Sequence, residues 1–305
     1  MIIRDKQNWF KLLFVWKDSV LPEILPRLVV LLGISAVVVF YHGDFLKYKI
    51  TLNAAPFTLI GLALAIFLGF YNNASYDRFW EGRKLWGALL NDTRSLCRQA
   101  ITMSGYDLKS PELIYFVELL IAFTYALKHQ LRQTDASEDM QRLLPAAFAN
   151  SLKNVAFKPV IIMLEMGQWI QKGKAEGKID SITFTAFDRN LDGLSNIAGG
   201  CERIASTPIP FTYKVLLHRT VYLYCFLLPF GLVDTIGWMT PLIVVFVAYT
   251  FMALDAIVNE IEEPFGVKPN DLGLNAMSKT IEKTLREMAG MPIELKDEEQ
   301  GFMVD

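Results

Sequence analysis

Three cysteines and three histidines are spread over 305 residues. Cys97, Cys201 and Cys225 stand far apart and in no paired spacing, which excludes a secreted disulfide scaffold. His42, His129 and His218 are equally scattered. No His-Glu-x-x-His, no Gly-rich phosphate loop and no Gly-x-Ser-x-Gly turn occurs, so the common zinc, nucleotide and serine-hydrolase sites have no motif. Charge is scarce as well: Asp, Glu, Lys and Arg make up 20% of the chain, below the roughly 25% of a soluble domain. A net charge of −2 gives no pull toward nucleic acid. No alternating strand pattern, Asn-Gly hairpin or internal repeat is present. The remaining place for a reactive group is Gly199-Gly200-Cys201-Glu202-Arg203. No histidine lies near it in sequence, and a buried helix cysteine is the common case. The expectation is a protein that is not an enzyme and holds no cofactor and no metal.

What is present is apolar: 52% of the residues, with a mean hydropathy of +0.29. Its 21 Phe and 6 Trp exclude a disordered chain. The apolar residues are concentrated in charge-free runs. Leu28 to Gly43 is sixteen residues long and Ile50 to Tyr76 twenty-seven, while Thr220 to Val233 and Thr235 to Leu254 are separated only by Asp234. A helix needs about 20 apolar residues to cross ~30 Å of hydrocarbon. The second and fourth runs meet that outright, and the shorter two can lean on Arg27 and Arg219, which snorkel to the interface. Four spans in two hairpins are predicted. Arg4, Lys6, Lys11, Lys17 and Arg27 precede the first span, and Arg78, Arg83, Lys84, Arg94 and Arg98 follow the second. The link from Gly231 to Thr240 has no Lys or Arg. By the positive-inside rule both termini and the middle of the chain are cytoplasmic.

The segment around Trp9 to Trp16 lacks a cleavage site and carries Lys11, so it reads as an interfacial helix rather than a signal peptide. Between the hairpins, Phe116, Leu119, Leu120, Phe123, Leu127 and Leu131 recur at helical spacing. Ser110-Pro111-Glu112 supplies a cap and a first-turn proline. Further helices are expected over Val160 to Ile170 and Ile182 to Ile204. The organisation is therefore an interfacial helix over 1–27, a first hairpin over 28–76, a cytoplasmic helical region over 77–213, a second hairpin over 214–258, and a cytoplasmic C-terminal segment with an acidic tail over 259–305. The fold class is an all-α membrane protein.

The second span holds the strongest functional signal. Leu62, Ile66 and Phe70 fall four residues apart and share one face, about 6 Å apart along the axis. Gly61, Ala63, Ala65 and Gly69 interleave small residues that permit close helix approach. Asn72-Asn73 follows. Around an axis, copies of this stripe would form apolar rings that gate by dewetting; ordinary helix packing would give the same periodicity.

Phe67-Leu68-Gly69-Phe70, Asn72-Asn73-Ala74, Arg78-Phe79-Trp80-Glu81 and Arg83-Lys84-Leu85-Trp86 resemble the bestrophin family in its bacterial branch. So do Ile204 to Phe211 with His218 to Tyr222, and Glu262-Glu263-Pro264-Phe265-Gly266. The resemblance implies an all-helical homopentameric ion channel of the bacterial inner membrane, its partners being copies of itself, the lipid bilayer and monovalent inorganic ions. It implies a pore neck at Leu62, Ile66 and Phe70 and a cytoplasmic constriction at Ile182, with Ile179 as the neighbouring alternative. Animal members bind calcium through an acidic run after Pro-Phe-Gly. Only Asp271 remains of it here, too few oxygens for a calcium clasp. Bacterial relatives suggest sodium permeation, with chloride permeation by the same fold or secondary transport as alternatives. Asp44, Asp234 and Asp180 are candidate vestibule acids, along with Glu165, Asp188, Asp192 and Glu202.

Overall fold

A computed structural model of the chain describes residues 10, 15–16, 19–42 and 52–293, together with the backbone of 44–45 and 48–49. The expected interfacial helix before residue 19, the acidic tail and the Asp44 side chain fall outside the described residues. Among those described, regular structure is helical apart from one ladder, Asp44–Phe45 (β1) antiparallel to Tyr48–Lys49 (β2). Two residues per strand are too few to carry an alternating pattern, so this ladder has no sequence signal. The chain divides into two compact units. One runs to Phe79 and resumes over Pro208–Glu263; the other comprises Trp80–Thr207 and the residues from Pro264 on.

The first unit contains α1 (Leu21–Phe40), the first half of α2 (Ala54–Met103), α8 (Phe211–Ile236) and α9 (Thr240–Ile261). Among the described residues, three segments are long and apolar enough to cross a membrane: Leu21–Phe40, Ala54–Met103 and Phe211–Ile261. The last is broken at Gly237, whose φ of 52° is left-handed, and a short 3-10 turn then leads to Pro241 at the start of α9. Asp234, expected in the connecting loop, is instead in the last turn of α8. The helices meet through Ile24, Leu28 and Leu31 of α1, Leu64 and Leu68 of α2, Val221 and Cys225 of α8, and Ala248, Met252 and Ala253 of α9. Around this core the outward side chains are apolar too. Val30, Leu59, Leu223, Leu242 and Phe246 are all more than half exposed, a surface suited to hydrocarbon rather than water.

The second half of α2 joins α3 (Pro111–Arg132), α4 (Ser137–Leu143), α5 (Ala146–Ser151), α6 (Lys158–Ala175), α7 (Ser181–Ser206) and α10 (Leu274–Met288) in the other unit. Helix α3 is central: every residue from Leu119 to Leu127 is buried. Its cap is the expected one, Ser110 Oγ accepting from the Leu113 N–H at 3.3 Å. Phe116 stacks on Trp169 at 4.2 Å between ring centroids and meets Phe187 edge-on at 6.0 Å. Trp169 donates its indole N–H to the Glu112 carbonyl at 2.9 Å.

Candidate functional site

The Leu62, Ile66 and Phe70 stripe lies on the first unit's part of α2. Leu64, Leu68 and Tyr71 are 1–2% exposed, whereas Leu62, Ile66 and Phe70 are 61%, 50% and 62% exposed. A two-residue step turns a helix by about 200°. Leu62 and Ile66 flank Leu64, and Ile66 and Phe70 flank Leu68, so the stripe faces directly away from the packed side. The sequence period had placed these three on one face; their being the open face is the structural finding. Asn73 continues the exposure one turn on, while Asn72 is half-buried. Of the two glycines interleaved with the stripe, Gly61 is at a close approach on the chain itself: a Cβ there would stand 2.8 Å from the Tyr224 hydroxyl. Gly69 has no atom within 4 Å of that position.

The packed side of α2 is pinned by a polar cluster that sequence reasoning missed. The Tyr71 hydroxyl donates to Glu262 Oε2 at 2.9 Å, and Lys214 Nζ donates to the same oxygen at 3.0 Å. Arg78 Nε donates to the Glu262 carbonyl at 3.2 Å. Glu262 is 3% exposed, so these donors replace water around a buried carboxylate. Two turns earlier on α9, Asp255 is buried and sits 2.9 Å from His218 Nδ1. His218 thereby ties α8 to α9 through a hydrogen-bonding contact. The signal for Glu262 was its place in the Glu262-Glu263-Pro264 block, which carried the resemblance but no stated role.

In the other unit, Ile182 is 85% exposed in the first turn of α7. Ile179 is 2% exposed and packs on Gly173, where a Cβ would meet its Cδ1 at 2.8 Å. Of the two candidate positions, Ile179 is thus packed inside the unit and Ile182 is open. Asp180 is the cap of α7: Oδ1 accepts from the N–H groups of Thr183 at 2.9 Å and Ile182 at 2.7 Å, and Oδ2 accepts from the Thr183 hydroxyl at 2.9 Å. Hydrogen bonds from the Thr183 backbone and hydroxyl, then from Ile182, hold its carboxyl below the usual carboxylate range. Glu165 accepts from the Tyr115 hydroxyl at 2.9 Å and Glu202 from Gln130 at 2.6 Å. Asp188 and Asp192 are exposed. At about 100° per residue, Ile182, Thr185, Arg189 and Asp192 share one face of α7, so an arginine stands between the apolar tip and the nearest acid on that face. Asp271 is 2% exposed, and its Oδ2 accepts from the Lys268 N–H at 2.7 Å, closing the turn after Phe265-Gly266. The thiols of Cys97 and Cys201 are fully buried, and burial pushes both up to about 12. They stay protonated at neutral pH and are poor nucleophiles.

The family model described as Bacterial/Fungal Bestrophin protein matches residues 1–287. The chain is 50% identical over 307 residues to the voltage-dependent anion channel-forming protein RSc3414 of Ralstonia nicotianae, covering 100% of both chains. It is 41% identical over 298 residues to the voltage-dependent anion channel-forming protein YneE of Salmonella typhi, covering 94% of each. The crystal structure of a bacterial bestrophin homologue from Klebsiella pneumoniae superposes with a TM-score of 0.84 at 42% identity, covering 88% of this chain and 99% of that one.

Proposed function

This chain belongs to the bacterial and fungal bestrophin family, and from that premise we propose that it is an ion channel whose neck is the Leu62, Ile66 and Phe70 stripe. The single observation that carries the proposal is the exposure of that stripe on a helix pinned from its opposite side by Tyr71 and Glu262. Repeated around an axis, as in the homopentamer that the resemblance implies, the stripe makes three stacked apolar rings about 6 Å apart. A narrow tube of this kind sheds water more readily than a polar one and so closes without a moving plug. The second constriction of the proposed pore is Ile182. The proposed topology has four spans, the second hairpin turning at Gly237, with both termini on the cytoplasmic side of the inner membrane.

The ion expected from the sequence changes. Relatives 50% and 41% identical are named voltage-dependent anion channel-forming proteins, which favours the chloride alternative over sodium. Local chemistry offers the sodium reading little. The neck is uncharged, Asp180 is engaged as a helix cap, and the open face of α7 sets Arg189 beside Asp192. We therefore propose passive anion permeation. The test is the reversal potential of the purified full-length protein in planar bilayers under a tenfold sodium chloride gradient. Reversal at the chloride equilibrium potential is expected. Reversal at the sodium potential overturns the anion assignment, and absence of any conductance overturns the channel itself.

A further inference from the structure

A groove of about 720 Å³ lies on the outer surface of the first unit, between α1 and α8. The two helices run in the same direction there. Leu28 and Leu31 pack with Val221 and Cys225, and about three turns later Val38 and Val39 pack with Val233. Their charged ends consequently coincide. Arg27 and Arg219 stand at one end of the groove, and Val30, Leu223 and Phe226 continue its wall one to two turns farther along. All five are exposed. The Arg27 guanidinium rests over the Tyr222 ring at 5.7 Å from the centroid, which holds it at the groove. Of the acids nearby, Asp255 is 4% exposed and engaged by His218 at 2.9 Å, and Glu23, one turn before Arg27 on α1, lies outside the groove lining.

We propose that this groove binds one anionic phospholipid, its phosphate between Arg27 and Arg219 and one acyl chain along Val30, Leu223 and Phe226. The proposal rests on the membrane placement given above. Two guanidiniums offer bidentate donors matched to a phosphate, and a full negative headgroup charge favours them over a zwitterion. A free phosphate would use only the charged end and leave the apolar wall uncovered. A lipid covers both, and the wall lies on helices apolar enough to stand in hydrocarbon. The charged end is also the end that the arginine-rich flanks assign to the cytoplasmic leaflet.

Native mass spectrometry of the full chain in detergent tests this, with phosphatidylglycerol, phosphatidylcholine of the same acyl chains, and glycerol 3-phosphate as separate probes. The expected result is retention of phosphatidylglycerol at least tenfold above phosphatidylcholine, with no retention of glycerol 3-phosphate. The double substitution Arg27→Gln, Arg219→Gln should abolish that preference, and Arg27→Lys, Arg219→Lys should restore part of it. Leu223→Trp, which fills the apolar wall and keeps both arginines, should also displace the lipid; it carries the test if the double variant does not fold. Equal retention of the two lipids, retention of glycerol 3-phosphate alone, or undiminished binding to Leu223→Trp overturns the proposal. Because the measurement needs no current, a protein that holds the lipid and does not conduct would overturn the channel reading alone.

Discussion

Two buried carboxylates, one in each unit, are each held by several donors at once. Glu262 takes Tyr71 and Lys214. Glu282, 1% exposed on α10, accepts from Arg142 at 2.7 and 3.1 Å, from Tyr125 at 2.8 Å and from Arg286 at 2.8 Å. Burial alone would raise the Glu282 carboxyl, but the hydrogen bonds from Arg142, Tyr125 and Arg286 outweigh it and hold the group below its ordinary value. A depressed folded-state pKa contributes stability that is present above the unfolded value, near 4.3, and is lost as pH falls through the folded value. Glu282→Gln leaves Arg142 and Arg286 facing a neutral amide; Arg142 is 40% exposed and keeps Asp139, so the cost falls below the roughly 3–5 kcal/mol of a fully buried pair. Thermal unfolding followed by tryptophan fluorescence should show Glu282→Gln markedly less stable at pH 7. The gap to wild type should narrow as pH falls below the unfolded value and close once it has passed the folded one, as the wild-type carboxylate is protonated; a gap that persists through acid would assign the effect to packing. At the neck, changing Leu62, Ile66 and Phe70 together to Ala removes the apolar bulk from all three rings and should raise single-channel conductance or open probability, with unchanged currents ruling the stripe out as the gate. The stripe was legible in the sequence because its period is local. The Tyr71–Glu262 contact, 191 residues apart in the chain, was not, since no short-range pattern encodes it.

At the scale of elements, caps and prolines marked the starts of helices well and their polarity marked the ends poorly. Ser110-Pro111 begins α3 and Asp180 begins α7 where the residue types demand. The boundary expected between the first hairpin and the cytoplasmic region, after Tyr76, falls inside one continuous helix: α2 runs fifty residues, from Ala54 to Met103. At ~1.5 Å per residue it outreaches a ~30 Å hydrocarbon layer more than twofold. Asn72-Asn73 and Arg78 change the helix's surroundings without stopping it, because no proline follows Pro56 within its length. The short α4 and α5, of seven and six residues, fall below any periodicity window. Helix α10 was readable from Leu274, Met277, Ile281 and Leu285 at three- and four-residue spacing, a pattern not drawn out in reading 259–305 as a C-terminal segment with an acidic tail. Helix contacts also rest on glycines at closest approach. A Cβ on Gly231 of α8 would stand 2.6 Å from the Phe57 ring of α2. Gly231→Ala should therefore lower the unfolding temperature, by the equivalent of about 1–3 kcal/mol for an overpacked contact. Phe57→Leu in the same chain should recover part of the loss; no recovery would place the cause elsewhere than this ring.

The whole molecule leaves its apolar surface unevenly covered, and that unevenness argues for assembly. In the most apolar window of α2, 17% of residues are buried, against 33% in each of the other two candidate spans. One face of α2 packs on the chain's own core. The open Gly69 still needs a neighbour, and lipid tails gain nothing from a small-residue notch that another helix can fill. In the proposed ring, copies of the same chain cover the Gly69 side of α2 while the stripe turns to the axis, and the exposed Ile182 of α7 supplies the second narrow place of the proposed pore. Cysteine chemistry can test that placement because Cys97, Cys201 and Cys225 are all buried, leaving a silent background. Ile182→Cys should react with a charged methanethiosulfonate and lose more than half of its current. Ile179→Cys, buried against Gly173, should neither react nor change. Full labelling of Ile182→Cys with current intact would place residue 182 off the conduction path while leaving the neck and the family membership untouched.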